Sequence, residues 1–162
     1  MILGIDPGLT GALALVEGDQ AVCVWDMPTS ERTSGKGQEV NAYLVADILE
    51  EALELAGSRG ALMAVVELVG AMPGQGVTSM WRFGHSAGTI DGVLGALGVR
   101  HTKVAPVRWK AAYRLTGREK DAARTVAIAT YPEIRDKLAR KKDIGRADAL
   151  LIAGYGVMHE EQ

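Results

Sequence analysis

The sequence predicts an α/β fold, a mixed five-stranded sheet flanked by helices, in a single domain over residues 1–162. Three observations carry this. Short apolar or β-branched runs open the chain and are separated by breaks containing Gly and Pro or Gly-Asp. Further apolar runs then alternate with helical patterns, as crossover connections require. The composition, 48% apolar and 23% charged, is that of an ordinary globular chain long enough to bury a core without staples.

The elements follow in order. Ile2–Asp6, Gly11–Glu17 and Ala21–Asp26 read as a three-stranded antiparallel meander. Met27–Gly37, rich in Ser, Thr, Gly and Lys, reads as a loop. Glu39–Ser58 places Val40, Leu44, Ile48, Leu49 and Leu55 on one side and acids on the other, an amphipathic helix. Ala61–Leu68 is a nearly continuous apolar run ending in Glu67, which suits a buried strand parallel to the first. Gly70–Gly76 is a loop, Val77–Leu97 a long helix and Arg100–Ala105 the fifth strand. Pro106–Tyr131 holds two short helices divided near Thr116-Gly117, and Pro132–Leu138 a short helix or turn. Ala139–Gly145 is a basic loop, and Arg146–Met158 the last helix.

Several classes of function are excluded. One cysteine, Cys23, permits no intramolecular disulfide and no four-cysteine zinc site; its apolar setting predicts a buried, inert thiol. No apolar stretch reaches the roughly 18 residues of a membrane span. The first residues, MILGIDPGL, lack a basic n-region before an apolar segment, which predicts a chain that is not secreted. Net charge is −2, against a broadly basic coat. The charge is unevenly placed, however. Arg100 to Arg146 holds 14 Lys+Arg against 5 Asp+Glu, and the rest holds 4 against 15. Such division marks either a polyanion-binding face on an acidic body or a set of solvated helix faces.

Acids at strand ends carry the chemical signal. Asp6 ends the first strand and Glu67 the fourth, so parallel neighbours would set them side by side at one sheet edge. Asp148 lies in the first turn of the last predicted helix, away from its apolar side. Three carboxylates from distant segments make a hard-oxygen site suited to Mg²⁺ or Mn²⁺. Two such ions about 4 Å apart promote phosphodiester cleavage. Each acid also has a structural reading. Asp6 before Pro7-Gly8 suits an Asx turn. Asp148 suits a helix dipole. Glu67 needs a partner if buried.

The segments GIDPGLTGALAL (Gly4–Leu15), AVVELV (Ala64–Val69) and RADALLIAGYG (Arg146–Gly156) resemble the active-site segments of RuvC-type Holliday-junction resolvases, endonucleases of the RNase H-like fold. MPGQG (Met72–Gly76), VAPVRWK (Val104–Lys110) and GREKDAAR (Gly117–Arg124) agree in order, and the MPGQG and GRAD wording is most similar to the phage and organellar branch. The resemblance implies an endonuclease that resolves four-way DNA junctions by paired symmetric hydrolysis. It implies Mg²⁺ or Mn²⁺, two ions per site, and a homodimer. Asp6, Glu67 and Asp148 match metal-binding carboxylates, and Lys110 and Lys120 match basic residues near the scissile strand. Arg118, Arg140, Lys141 and Lys142 are further candidates for phosphate contact.

Two departures stand out. Three residues before Asp148, where the bacterial pattern has an acid or histidine, this chain has Gly145; Asp143 is the nearest substitute, swung towards the metals if Gly145 acts as a pivot. After Glu67, Val69-Gly70-Ala71 has no aromatic wedge. Trp81 and Phe83 on the long helix suit either core or a dimer interface, Trp109 either packing or base stacking, and His85 and His101 no ligand set. Two other functions compete. DPGLTG (Asp6–Gly11) also resembles the phosphate turn of actin-like ATPases and sugar kinases, which use two such domains. A non-catalytic junction-binding module would not require all three acids. The expected setting is a bacterial or phage-infected cytoplasm, or an organelle matrix.

Overall fold

The computed structural model describes residues 1–33, 35–68, 70, 74 and 76–160. Seven strands lie among them: β1 (Ile2–Asp6), β2 (Ala12–Glu17), β3 (Gln20–Asp26), β4 (Thr29–Glu31), β5 (Gln38–Val40), β6 (Met63–Glu67) and β7 (Arg100–Val104). The helices are α1 (Ala42–Ala56), α2 (Val77–Ala96), α3 (Pro106–Ala112), α4 (Ala122–Thr130) and α5 (Ile144–Glu160). The main sheet has order β3-β2-β1-β6-β7. β1–β2–β3 is the antiparallel meander, and β6 lies parallel to both β1 and β7. The five-stranded mixed sheet is therefore as the sequence predicts.

The alternation of side chains along each strand divides the core into two layers. Leu3, Ile5, Leu13 and Leu15 face α1 and α2, meeting Val45, Leu49, Ile90 and Leu94. Ile2, Ala12, Ala14 and Val65 face α5 and the α3–α4 region, meeting Trp109, Leu150, Ile152 and Ala153. On this second side Gly4 occupies a position that any side chain would deny to α5. A Cβ there would overlap the Ala149 carbonyl and the Ala153 amide, so the helix lies directly on β1.

Three details differ from the sequence expectation. The segment read as a loop over Met27–Gly37 contributes a strand to a second small sheet, because Thr29–Glu31 pairs with Gln38–Val40. Consequently Glu39 is in a strand, and α1 begins after Asn41, whose side chain accepts a hydrogen bond from Leu44 N at 3.1 Å. The basic segment before α5 is a 3₁₀ turn, Lys141–Asp143, and α5 starts at Ile144, so Asp148 lies in its second turn. Cys23 is half-buried on β3 rather than fully enclosed. Among the described residues no helix is long and apolar enough to cross a membrane.

Candidate active site

Asp6 closes β1, and its Oδ1 accepts the Gly8 N–H at 3.1 Å, so the Asx turn is present. Along β1 and β6, Ile5 pairs with Val66; one further step in this register brings Asp6 beside Glu67. Asp148 arrives from the other side. Gly145, one helical turn earlier on the same side of α5, is buried against the β1–β2 turn, where a Cβ would collide with the Thr10 carbonyl and the Gly11 backbone. That contact, rather than freedom to pivot, explains the glycine. It docks α5 so that Asp148 shares a cleft with Asp6.

The electrostatics record the convergence. Burial, countered by the Gly8 amide and reinforced by Glu67, pushes the Asp6 carboxyl from 3.8 up to about 6. Burial, then the charge of Asp6, pushes Asp148 from 3.8 up to about 7, with Glu67 adding and Lys110 and Lys120 opposing. An acid whose folded pKa is raised favours the folded state at low pH and loses that advantage as pH rises through the folded value. The metal-free chain thus gives up stability from these two groups between pH 3.8 and about 7.

A divalent cation fits this donor set. The ligand atoms are hard carboxylate oxygens, and a cation offsets the repulsion that burial imposes on them. Among the described residues no group of three His, Cys, Asp or Glu is drawn together tightly enough to hold a metal unaided.

Asp143, the candidate fourth ligand, is not brought into this group. Its carboxylate is 4% exposed and holds Arg140: Oδ2 accepts the Arg140 backbone N–H at 2.8 Å, and Oδ1 accepts the guanidinium at 2.8 Å. Arg140 and Arg146 hold the Asp143 carboxyl below the usual range. The arrangement is a capping box at the entrance to α5.

The basic segment is likewise divided. Arg124 is paired with Asp121 and Arg146 with Asp26 through two hydrogen bonds each, and Lys103 meets Asp91. Arg140 is occupied by Asp143. Lys110, Arg118, Lys120, Lys141 and Lys142 instead line the cleft with Asp6 and Asp148, around a volume of about 690 Å³. Trp109 does not stack outward; it is fully buried, and its Nε1 donates to Glu67 Oε1 at 2.9 Å. This is the partner of the half-buried Glu67, and sequence reasoning missed it. The available signal was an indole between Arg108 and Lys110 on a short helix directly after a strand.

A solved structure of T. thermophilus RuvC in complex with a Holliday junction superposes on 98% of this chain and 92% of its own, with TM-score 0.63 and 18% identity. The chain has the RuvC fold. A second T. thermophilus RuvC structure covers the same shares with TM-score 0.54. In sequence, the RuvC-like chain is 34% identical over 156 residues to the chloroplastic Holliday junction resolvase MOC1 of Chlamydomonas reinhardtii, covering 84% of this chain. It spans 17% of that relative's length. No family model matches the sequence. In fold and in sequence the chain resembles the RuvC-type resolvases, and in sequence the organellar branch.

In this RuvC-like chain the remaining candidates sit apart from the cleft. Trp81 on α2 is 54% exposed, stacks on His85 and lies under Arg32. Phe83 is half-buried. His101 contacts the Val99 carbonyl and Asp91. Val69, Ala71, Met72, Pro73 and Gln75, which include the wedge position and most of MPGQG, lie outside the described residues.

Proposed function

We propose that the chain is a divalent-metal-dependent endonuclease that nicks four-way DNA junctions, with residues 1–162 forming one nuclease domain. The observation that carries this reading is a cleft in which Asp6 and Asp148 lie beneath Lys110, Arg118, Lys120, Lys141 and Lys142, with Glu67 next in register. The relative from Chlamydomonas is named a junction resolvase, and the T. thermophilus protein was solved on a junction, which supports the choice of DNA.

Asp6, Glu67 and Asp148 would hold Mg²⁺ or Mn²⁺, two ions per site. Such ions supply an activated water and stabilisation of the leaving oxygen. The lysines and arginines bind and orient the phosphodiester as point charges and forks, so that the scissile phosphate lies against the carboxylates. Asp143 and Arg140 serve α5 rather than the metals. Hydrolysis without a covalent intermediate leaves 5′-phosphate and 3′-hydroxyl ends.

Paired symmetric nicks require two sites, and we take the assembly to be a homodimer. Val77 and Trp81 on α2, 79% and 54% exposed, are two apolar groups that such an interface would cover. The setting would be a bacterial or phage-infected cytoplasm or an organelle matrix, the latter in line with the chloroplastic relative.

Labelled junctions incubated with the protein test this directly. The expected result is paired nicking with Mg²⁺ or Mn²⁺ and none in a chelator. Junction binding without metal-dependent nicking would leave a binding module, and ATP hydrolysis would favour the kinase-like alternative.

The basic wall gives a second expectation. Lys110→Ala and Lys120→Ala each weaken junction binding and reduce the slope of log affinity against log salt by about one unit. Binding titrations at several salt concentrations measure it. An unchanged slope in both variants would move the DNA surface elsewhere.

A further inference from the structure

Trp109 touches two of the groups just assigned. Its Nε1 lies 2.9 Å from Glu67 Oε1, and Lys110 Nζ lies 5.1 Å from the centroid of its ring. The indole is fully buried among apolar residues of the layer that faces α5, so its plane is held by packing. Glu67 is half-buried at the end of β6, with a side chain that would otherwise be free to rotate.

We propose that Trp109 is a positioning residue for the metal site: its N–H engages Glu67 Oε1 and so fixes how the carboxylate would be presented to a cation, and its ring face seats Lys110. The inference rests on the nuclease reading above. The donor type is apt for the task. An indole N–H only donates, so it does not compete with the carboxylate as a ligand. It is also neutral, so it orients Glu67 without cancelling the charge that attracts the cation, as an arginine or lysine in its place would. Partners of this kind, which hold a ligand through its other polar atom, typically contribute 10–100-fold to metal affinity or activity.

Trp109→Phe removes the N–H and keeps an aromatic face for Lys110. The expected result is Mn²⁺ affinity lower by about 10–100-fold in calorimetric titration of the DNA-free protein. Junction affinity and its salt slope should stay within about twofold, because Lys110 and the other cations remain. In the Glu67→Gln background the same substitution should cost no further Mn²⁺ affinity, since the group it orients is already lost. A second measurement does not depend on the variant's folding. The Trp109 indole N–H resonance of the wild type should move on Mg²⁺ saturation and in metal-free Glu67→Gln. Wild-type Mn²⁺ affinity in folded Trp109→Phe, or an indole resonance indifferent to both changes, would overturn the positioning role and leave the nuclease site standing. A wild type that binds no Mn²⁺ and nicks no junction would overturn the nuclease reading itself.

Discussion

Asp6→Asn, Glu67→Gln and Asp148→Asn are each expected to lower junction nicking by at least ~1,000-fold, about 4 kcal/mol of transition-state stabilisation, while leaving junction binding intact. On the nuclease reading, each removes a full charge from the carboxylates that would hold the cation. On the same reading, affinity for DNA would come mainly from the lysines and arginines around it. Asp143→Asn is the control, and it should retain most of the activity, because its carboxylate is engaged by Arg140 rather than by the cleft. A further readout separates metal loss from misfolding. At pH 8, above the values of about 6 and about 7, both Asp6 and Asp148 carry charges that folding disfavours. The Asn variants at these two positions should therefore melt higher than the wild type without metal, and the difference should shrink as pH falls towards 4. A divalent cation should raise the melting temperature of the wild type, and these variants should lose that rise. An Asp6→Asn or Asp148→Asn variant that nicks at the wild-type rate would remove that residue from the site. Loss of nicking in Asp143→Asn without loss of stability would return it to the ligand set.

The second large effect is on stability. Gly4→Ala should destabilise the fold by roughly 3 kcal/mol or more, the upper end for overpacking. The atoms that a Cβ would meet are the Ala149 carbonyl oxygen, the Ala153 nitrogen and the Ala153 Cα at 2.9 Å. All are backbone, so no side chain can rotate aside; α5 itself must lift from β1. That movement would also carry Asp148 away from Asp6, so activity should fall even where the variant is folded. Urea unfolding measures the first effect as a lower midpoint with an unchanged slope, and nicking well below the transition measures the second. A midpoint shift equivalent to less than about 0.5 kcal/mol, as at an ordinary surface position, would show that the sheet and α5 are not in the close contact described. By the same steric logic Gly145→Asp should not supply a fourth ligand, because its Cβ has no room beside Thr10 and Gly11.

The sheet was legible because its signal is local. Apolar runs such as ILGID and MAVVE, with turn residues between them, state strand and break within a few residues. The strand-end placement of Asp6 and Glu67 followed from the same runs, and parallel pairing then made them neighbours. The β4–β5 pairing was not legible, since Thr29–Glu31 and Gln38–Val40 are three-residue segments too short to show an alternation, and Val40, their one core residue, is placed by packing across the fold.

What the sequence determined by itself was the order of elements, the carboxylate at the end of each of two strands, and the basic character of the segment from Arg100 to Arg146. What only the tertiary structure decided was which of those charges act together. Arg124, Arg140 and Arg146 are consumed by acids, whereas Lys110, Arg118, Lys120, Lys141 and Lys142 face the cleft. Asp143 and Asp148, five residues apart, take different positions because α5 begins between them: Asp143 closes the capping box of the preceding 3₁₀ turn, and Asp148 shares the cleft with Asp6. Trp109 and Glu67, 42 residues apart, meet through a hydrogen bond that neither local pattern announces. The physical reason is common to all three. Helix and strand formation depend on neighbours within a few residues, whereas the partner of a polar side chain is chosen by how elements pack across the fold.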